Sequence, residues 1–134
     1  MTRINLGINP IFLSKAHLLA EHREIKRIPN TVKSGKAVVK NIPEKFTLGT
    51  GHVKFFYDKL FYLKKRYDKI YLECINRELN VTYYGDAFED LPIELCNDYS
   101  PTKKDINIIL SRLLERDYDF YSKLSNVVLY LNKI

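Results

Sequence analysis

Residues 56–74 read FYDKLFYLKKRYDKIYLEC and carry the strongest structural signal in the chain. Their apolar residues are 4, 3, 4, 3 and 4 positions apart, at Phe56, Leu60, Leu63, Tyr67, Ile70 and Cys74. Side chains at this spacing share one face of an α-helix. The pattern therefore predicts one long helix that is the central packing element. Lys64, Lys65 and Arg66 are interpreted as its solvated face.

The chain before this helix predicts one further helix and a basic loop. Proline suits the first turn of a helix, so the first helix is expected to begin near Asn9-Pro10, or slightly later at Ser14. It is expected to end near Ile28-Pro29-Asn30, and residues 31–48 are interpreted as a basic loop with room for a short helical turn. Gly49-Thr50-Gly51 is expected to form a helix-initiating turn, because the lysine and the full glycine pattern of a phosphate-binding loop are absent.

The chain after the central helix predicts a loop, a third helix and a tail. Asn80, Gly85 and Pro92 interrupt any periodicity, so residues 80–100 are expected to be a loop. A third helix is predicted to begin at Ser100-Pro101, with Ser100 as its N-cap, and to bury Ile106, Ile109, Leu110, Leu113 and Leu114. Residues 118–134 are predicted to form a short helix and a tail. These elements indicate an all-α fold of three main helices joined by long ordered loops.

The composition is typical of one packed domain spanning residues 1–134. Of the 134 residues, 46% are hydrophobic and 13% are aromatic, which argues against a disordered chain. No apolar run approaches the ~20 residues of a membrane span, and the N-terminus lacks an apolar signal-peptide core. Two cysteines, Cys74 and Cys96, are too few for a secreted disulfide scaffold, so both are expected to be reduced and partly buried.

The positive charge is concentrated at the two ends of the chain. The whole sequence has a net charge of +6. Residues 1–45 carry +6 and residues 101–134 carry +2, whereas residues 46–100 carry −2 and include the acidic residues Asp86, Glu89, Asp90, Glu94 and Asp98. Such a distribution is expected to present one polarised face to a polyanion.

The first predicted helix carries ionisable side chains at helical spacing. His17, Glu21 and Glu24 are expected to share one face, with Arg23 and Arg27 on an adjacent stripe. One interpretation is a site in which the arginines grip phosphates while a carboxylate acts on the sugar or base between them. The alternative is a solvated helix face held by ion pairs. The histidines and cysteines show no metal-ligand spacing, so no metal site is expected.

The N-terminus is a further candidate for chemistry. Thr2 is small enough to permit removal of Met1, which would leave an α-amine on Thr2. An α-amine has a pKa near ~7.7–8.0, so an appreciable fraction is uncharged at neutral pH. An uncharged amine can attack the anomeric carbon of a nucleotide, expel the base and form an imine. The alternative is that Met-Thr is simply a common beginning of a protein chain.

Three segments, in the same order, resemble those of one known family. They are Met1-Thr2-Arg3-Ile4-Asn5-Leu6, then His17-Leu18-Leu19-Ala20-Glu21-His22-Arg23-Glu24, then Leu48-Gly49-Thr50-Gly51-His52-Val53 running into Phe55-Phe56-Tyr57-Asp58-Lys59-Leu60. The chain resembles the bacteriophage-type pyrimidine dimer DNA glycosylase/AP lyases, called endonuclease V in the older, ultraviolet-repair sense. The resemblance spans about residues 2–116 and weakens beyond Arg116.

The resemblance implies a compact fold whose N-terminal segment threads between helices and brings the Thr2 amine close to the Glu24 carboxylate. In that family the amine matching Thr2 is the nucleophile. The carboxylate matching Glu24 stabilises the cationic sugar intermediate and assists the later elimination. The residues implied to hold the phosphates of a sharply kinked duplex are Arg3, His17, Arg23, Arg27, Arg112 and Arg116.

The implied activity is that of a metal-independent, cofactor-free DNA N-glycosylase and AP lyase that acts as a monomer. Its partner is double-stranded DNA containing damaged bases, with cyclobutane pyrimidine dimers favoured, and the family swings a base opposite the lesion out of the stack. The implied location is cytoplasmic and nucleoid-associated, without a membrane, in a protein encoded by a virus or a bacterium.

Three departures from the family pattern alter the expected DNA-binding surface. Ala16 replaces an amide side chain that touches DNA, His22 replaces a tyrosine beside the site, and Thr82 replaces a basic residue. Since Thr2 and Glu24 are retained, the departures bear on lesion choice more than on reaction type. Two alternatives stay open: a sibling glycosylase/AP lyase acting on another modified base or on abasic sites, and a non-catalytic helical DNA-binding module.

Overall fold

The computed structural model describes residues 2–124 and is helical, with three main helices and three shorter ones. In chain order they are α1 (Lys15–Glu24), α2 (Arg27–Lys33), α3 (His52–Phe55), α4 (Leu60–Asn76), α5 (Lys103–Arg116) and α6 (Tyr118–Tyr121). Within these described residues, extended pairing is limited to an isolated bridge between Lys59 and Cys96. The all-α class and the three main helices are therefore confirmed. None of the helices in residues 2–124 combines the length and hydropathy that a membrane crossing requires.

The central helix is α4, and its predicted apolar stripe forms the core. The buried members on the helix are Leu60, Leu63, Tyr67, Ile70 and Cys74. The pattern also places Phe56 in this helix, which is wrong, because residues 56–59 form a turn between α3 and α4. In this turn the Lys59 amine donates to the Phe55 carbonyl at 3.0 Å and so closes the end of α3. Phe56 is nevertheless buried, packed edge-on against Phe55.

The first predicted helix is two helices in the structure. α1 begins after Ser14, one of the two predicted starts, and the Ser14 side chain caps it by accepting from the His17 backbone N–H. α1 ends at Glu24, and after a short turn α2 continues to Lys33. The predicted end near Ile28-Pro29-Asn30 is wrong, because Pro29 lies in the first turn of α2, where a backbone N–H has no intrahelical acceptor.

Helix α5 begins later than the sequence predicts. Thr102, rather than Ser100, is its N-cap. The Thr102 hydroxyl accepts from the Asp105 backbone N–H at 3.1 Å, and the Asp105 carboxylate accepts from the Thr102 backbone N–H at 2.9 Å. These two reciprocal hydrogen bonds satisfy two backbone N–H groups at the start of α5. A serine N-cap at position 100 alone would satisfy one. The predicted apolar face is buried at Ile106, Ile109, Leu110 and Leu113, and half-buried at Leu114.

The remaining segments carry more local structure than expected. Three 3-10 turns occur among the described residues, at Pro10–Phe12, Gly85–Phe88 and Ile93–Leu95, two of them in the predicted 80–100 loop. Helix α6 confirms the short helix, while residues 125–134 of the predicted tail lie outside the described residues. Both cysteines are free thiols as expected, Cys74 buried and Cys96 half-buried, and burial raises the pKa of each.

The N-terminal segment passes through the core, as the resemblance implies. Ile4, Leu6 and Ile8 are buried. The segment contacts α4 where the Gly7 backbone N–H donates to the Tyr62 hydroxyl at 3.3 Å. It also lies against α5, because a Cβ atom at Gly7 would stand 2.7 Å from the Ile106 side chain, and the φ angle of +80° there favours glycine.

Arg66 is the largest departure from the sequence analysis. It is predicted to be solvated, yet it is only 6% exposed. Its guanidinium donates to both carboxylate oxygens of Glu21 on α1, and its Nη1 donates to the Ile8 carbonyl at 2.8 Å. Asn5 adds a donor to the same Glu21 carboxylate at 2.8 Å. The prediction fails because a helical stripe of apolar residues does not reveal which flanking polar residue meets a buried partner.

Replacing Glu21 with glutamine should lower the free energy of unfolding by about 3–5 kcal/mol, because the Arg66 charge would stay buried without an opposite charge. Equilibrium unfolding in urea measures the loss. Asp68→Asn is the matched control: it breaks the partly exposed Lys64–Asp68 ion pair and should cost less than about 1 kcal/mol. Equal losses in the two variants would contradict the role assigned to Glu21.

Candidate active site

Three of the predicted DNA-binding arginines meet at one surface cavity. Arg112 and Arg116 lie one turn apart on α5, and Arg3 reaches the same place from the N-terminal segment. The cavity has a volume of about 440 Å³ and is also lined by Leu48, Ile108, Ser111 and Glu115. Burial and the charge of Arg116 lower the pKa of Arg3, and burial with the charges of Arg3 and Arg116 lowers the pKa of Arg112. Like charges gathered in this way favour an anionic ligand.

His17 belongs to the same group. It lies in the first turn of α1, and its Nδ1 atom is 2.6 Å from the Tyr121 hydroxyl and 3.2 Å from the Ser14 hydroxyl. Burial and the charge of Arg112 lower the pKa of His17. The structure therefore brings His17 within electrostatic range of Arg112 and Arg116, which are in turn within range of Arg3.

The other predicted residues of α1 and α2 form a second group. Arg23 and Arg27 are exposed, and Arg27 Nη1 lies 3.4 Å from Glu24 Oε1. The Glu24 side chain is 15% exposed and the Arg27 side chain 54%. Glu21, expected to share a functional face with His17 and Glu24, instead holds Arg66 in the core. Glu24 and Arg27 therefore form an ion pair of the kind expected on a solvated helix face, but the Glu24 side chain is more buried than such a face predicts.

Thr2 is buried, at 9% exposure, at the beginning of the threaded segment. Within residues 2–124 no hydrogen bond joins Thr2 to Glu24, so their close approach stays a prediction. The nearest fixed link is Asn5, whose side chain donates to Glu21, one turn before Glu24 on α1. The threaded segment therefore contacts the helix that carries Glu24.

His52 lies in one of the three segments that resemble the family, but the sequence analysis gave it no role. Its Nε2 accepts from the Ile4 backbone N–H at 2.9 Å, and its Nδ1 lies 2.9 Å from the Thr47 carbonyl. A neutral ring with its proton on Nδ1 satisfies both contacts. Burial lowers the pKa of His52 to about 4. A neutral His52 therefore anchors the segment that carries Thr2 and Arg3.

His22, which replaces a tyrosine of the family pattern, packs into the core. It is buried, with Nε2 3.0 Å from the Tyr67 hydroxyl of α4, and its ring packs against Tyr67 and Tyr84. The face of α1 that carries it is turned towards the core. Among residues 2–124, no group of three or more histidine, cysteine, aspartate or glutamate side chains could hold a metal ion.

The geometry gives a cationic cavity beside a buried N-terminal segment. A family profile described as pyrimidine dimer DNA glycosylase matches residues 1–84. The chain belongs to the pyrimidine dimer DNA glycosylase family. This confirms the resemblance and identifies a DNA repair glycosylase whose substrate is DNA. The matched residues include Thr2, Arg3, His17, Arg23, Glu24 and Arg27. Arg112 and Arg116 lie beyond the matched residues and line the same cavity as Arg3.

Lowering the pH should destabilise the protein through His52. In the folded state its pKa is about 4, against an ordinary 6.5, so the unfolded chain binds the proton first and stability falls as pH drops through this window. The loss should reach about 3 kcal/mol near pH 4. Urea unfolding at several pH values measures it.

His52→Gln keeps a neutral donor and acceptor and should remove most of this pH dependence. His17→Gln is the control, because the His17 ring is only half-buried, and it should remove less. An unchanged pH dependence in His52→Gln would contradict the neutral anchor.

Proposed function

We propose that this protein is a bifunctional DNA glycosylase and AP lyase that excises cyclobutane pyrimidine dimers with the Thr2 α-amine as its nucleophile. The observation that carries the proposal is the buried tether of the N-terminal segment. Glu21, Tyr62, Arg66 and His52 all hold residues 4–8, so the chain between Thr2 and the core has little freedom. A short, fixed tether gives a terminal amine the positional precision that catalysis requires.

The first chemical step is displacement of the damaged base. The uncharged Thr2 amine attacks C1′ of the sugar, a C–N bond forms, and the glycosidic bond breaks with its electron pair leaving on the base. Positive charge develops on the sugar as this bond breaks, and the Glu24 carboxylate is complementary to it. The attacking nitrogen then loses a proton and forms a second bond to C1′ as the C1′–O4′ bond breaks. O4′ takes the electron pair and a proton, which opens the sugar ring and leaves a protonated imine.

The second step is strand cleavage. The imine acidifies the C2′ hydrogen, and removal of that proton expels the 3′ phosphate oxygen from C3′ as a double bond forms. This β-elimination is driven by the imine itself and draws on Glu24 as the nearby proton acceptor. Water finally releases the sugar fragment and regenerates the Thr2 amine.

The two basic groups have the role of phosphate grips. Arg3, His17, Arg112 and Arg116 form one group, and Arg23 with Arg27 forms the other. His17 of the first group is in the first turn of α1, and Arg23 of the second group is in its last turn. This separation suits the two arms of a bent duplex, since bending exposes a base that is already poorly stacked at a lesion. We propose that the protein acts as a monomer, without metal or cofactor, on nucleoid or viral DNA in the cytoplasm.

Purified protein should nick ultraviolet-irradiated plasmid and leave untreated plasmid intact. Blocking the terminus, by acetylation or by retained methionine, should nearly abolish nicking because the nucleophile is lost. Thr2→Ser is the matched control, since serine is also small enough for methionine removal and keeps the amine. Intact mass establishes whether Met1 has been removed.

Full-rate nicking by the blocked protein would contradict the proposal. Tight binding of irradiated plasmid without any nicking would favour the non-catalytic module. Nicking confined to duplexes with an abasic site or another modified base would favour the sibling enzyme, for which the departures at Ala16 and Thr82 are the supporting observations.

Glu24→Gln should retain lesion binding and lose base release by about 10²–10³-fold, because a neutral amide no longer stabilises the cationic sugar. Electrophoretic mobility measures binding, and single-turnover base release measures chemistry. Glu44→Gln, at an exposed loop position, is the control and should behave as the unmodified protein. Normal base release by Glu24→Gln would contradict the carboxylate's role.

A further inference from the structure

The Tyr121 side chain links the last described helix to the first turn of α1. It is 2% exposed, and its hydroxyl accepts from the Ser14 backbone N–H at 3.0 Å. The same hydroxyl lies 2.6 Å from His17 Nδ1 and 3.2 Å from the Ser14 hydroxyl. The Tyr121 and His17 rings are 5.5 Å apart. The polar tip of a buried tyrosine therefore meets one nitrogen of a proposed DNA-binding histidine.

The hydrogen bonds around Tyr121 indicate where its proton goes. Its oxygen accepts from the Ser14 N–H, so its single proton has two possible acceptors, the Ser14 hydroxyl oxygen at 3.2 Å and His17 Nδ1 at 2.6 Å. A phenol is the strongest neutral donor in this group, and an unprotonated imidazole nitrogen is the strongest neutral acceptor. The shortest contact is the one between these two atoms. This pairing assigns the Tyr121 proton to the bond with His17 Nδ1.

The charges around His17 keep its ring neutral near pH 7. Arg112 and Arg116 face the ring from α5 and lower its pKa. Glu21, also on α1, and Asp117, before α6, raise it. Burial and Arg112 have the largest effects, and together they lower the pKa of His17. A neutral imidazole carries a single N–H, so the position of that proton decides what the ring can bind.

We propose that Tyr121 is a positioning residue: by donating to Nδ1, it holds neutral His17 in the tautomer whose Nε2 carries the proton. The Nε2–H then serves as a donor for a DNA phosphate gripped by Arg112 and Arg116. The identity of this ligand rests on the proposed function, whereas the tautomer is a property of the free protein. Tyr121 lies outside residues 1–84, which the glycosylase family profile matches.

The tautomer is tested on DNA-free protein with ¹⁵N-labelled histidine, by long-range ¹H–¹⁵N correlation spectra at pH 7.5. His17 should show its proton on Nε2. His52 is an internal reference of the opposite kind, because its Nε2 accepts from the Ile4 N–H. Tyr121→Phe should change the His17 pattern and leave that of His52 unchanged. A His17 proton on Nδ1 in the unmodified protein would overturn the proposal.

A second experiment measures the affinity of the protein for a lesion-bearing duplex. Tyr121→Phe should weaken binding about 2- to 10-fold at pH 7.5, which corresponds to the loss of one hydrogen bond. Tyr118→Phe is the matched control on the same helix, since the Tyr118 side chain is 68% exposed, and it should bind as the unmodified protein.

A double-mutant cycle separates positioning from a merely structural role. In a His17→Ala background, Tyr121→Phe should have no further effect on binding, because the ring it orients is gone. An equal loss with and without His17 would overturn the proposal. If the unmodified protein neither binds nor nicks damaged duplex, the proposed function fails, while the tautomer result still decides the role of Tyr121.

Discussion

A buried arginine and a buried glutamate hold three parts of this protein together. The guanidinium of Arg66 on α4 pairs with Glu21 on α1 and also donates to the Ile8 carbonyl in the N-terminal segment. Either charge alone would be costly in the core, so the segment and both helices are stable only in this arrangement. The pair fixes the route of the N-terminal segment through the protein interior. The proposed nucleophile is at the end of that route.

This construction suits a catalyst whose reactive group is a chain terminus. A free terminus normally samples many positions, and its ordering would have to be achieved during the reaction. Here the ordering is achieved on folding, through Asn5, Gly7 and a neutral His52 that accepts from the Ile4 N–H. Burial lowers the pKa of His17, His22 and His52, which favours the neutral form of each ring. The positive charge beside the N-terminal segment therefore comes mainly from arginines.

The sequence predicted the fold class and the main helices because both depend on periodicity. The stripe from Leu60 to Cys74 and the apolar face of α5 follow directly from spacing. Features that depend on one side chain meeting another were missed: Arg66 in the core and Thr102 as the cap of α5. The partner of Arg66 is distant in sequence, and Thr102 competes with Ser100, so spacing alone could not select either. Pro29 was interpreted as a helix end, because proline is compatible both with the residues after a helix and with a first helical turn.

The residues of the candidate site were likewise predicted only in part. The family resemblance implied that Arg3, Arg112 and Arg116 contact DNA phosphates, and the structure brings the three side chains to one cavity. The contacts of His52 with Ile4 and of Tyr121 with Ser14 were missed because the partners are 48 and 107 positions apart in the sequence. His22, which replaces a tyrosine of the family pattern, lies in the core, where its ring contacts Tyr67.

The central claim is that the tethered Thr2 amine forms the covalent bond to DNA. The most direct test is reduction of the reacting complex with borohydride on a lesion-bearing duplex, followed by proteolysis and mass spectrometry of the crosslinked peptide. The account predicts a single adduct on the α-amine of Thr2, in protein lacking Met1. An adduct on a lysine side chain, or turnover with no adduct, would contradict it.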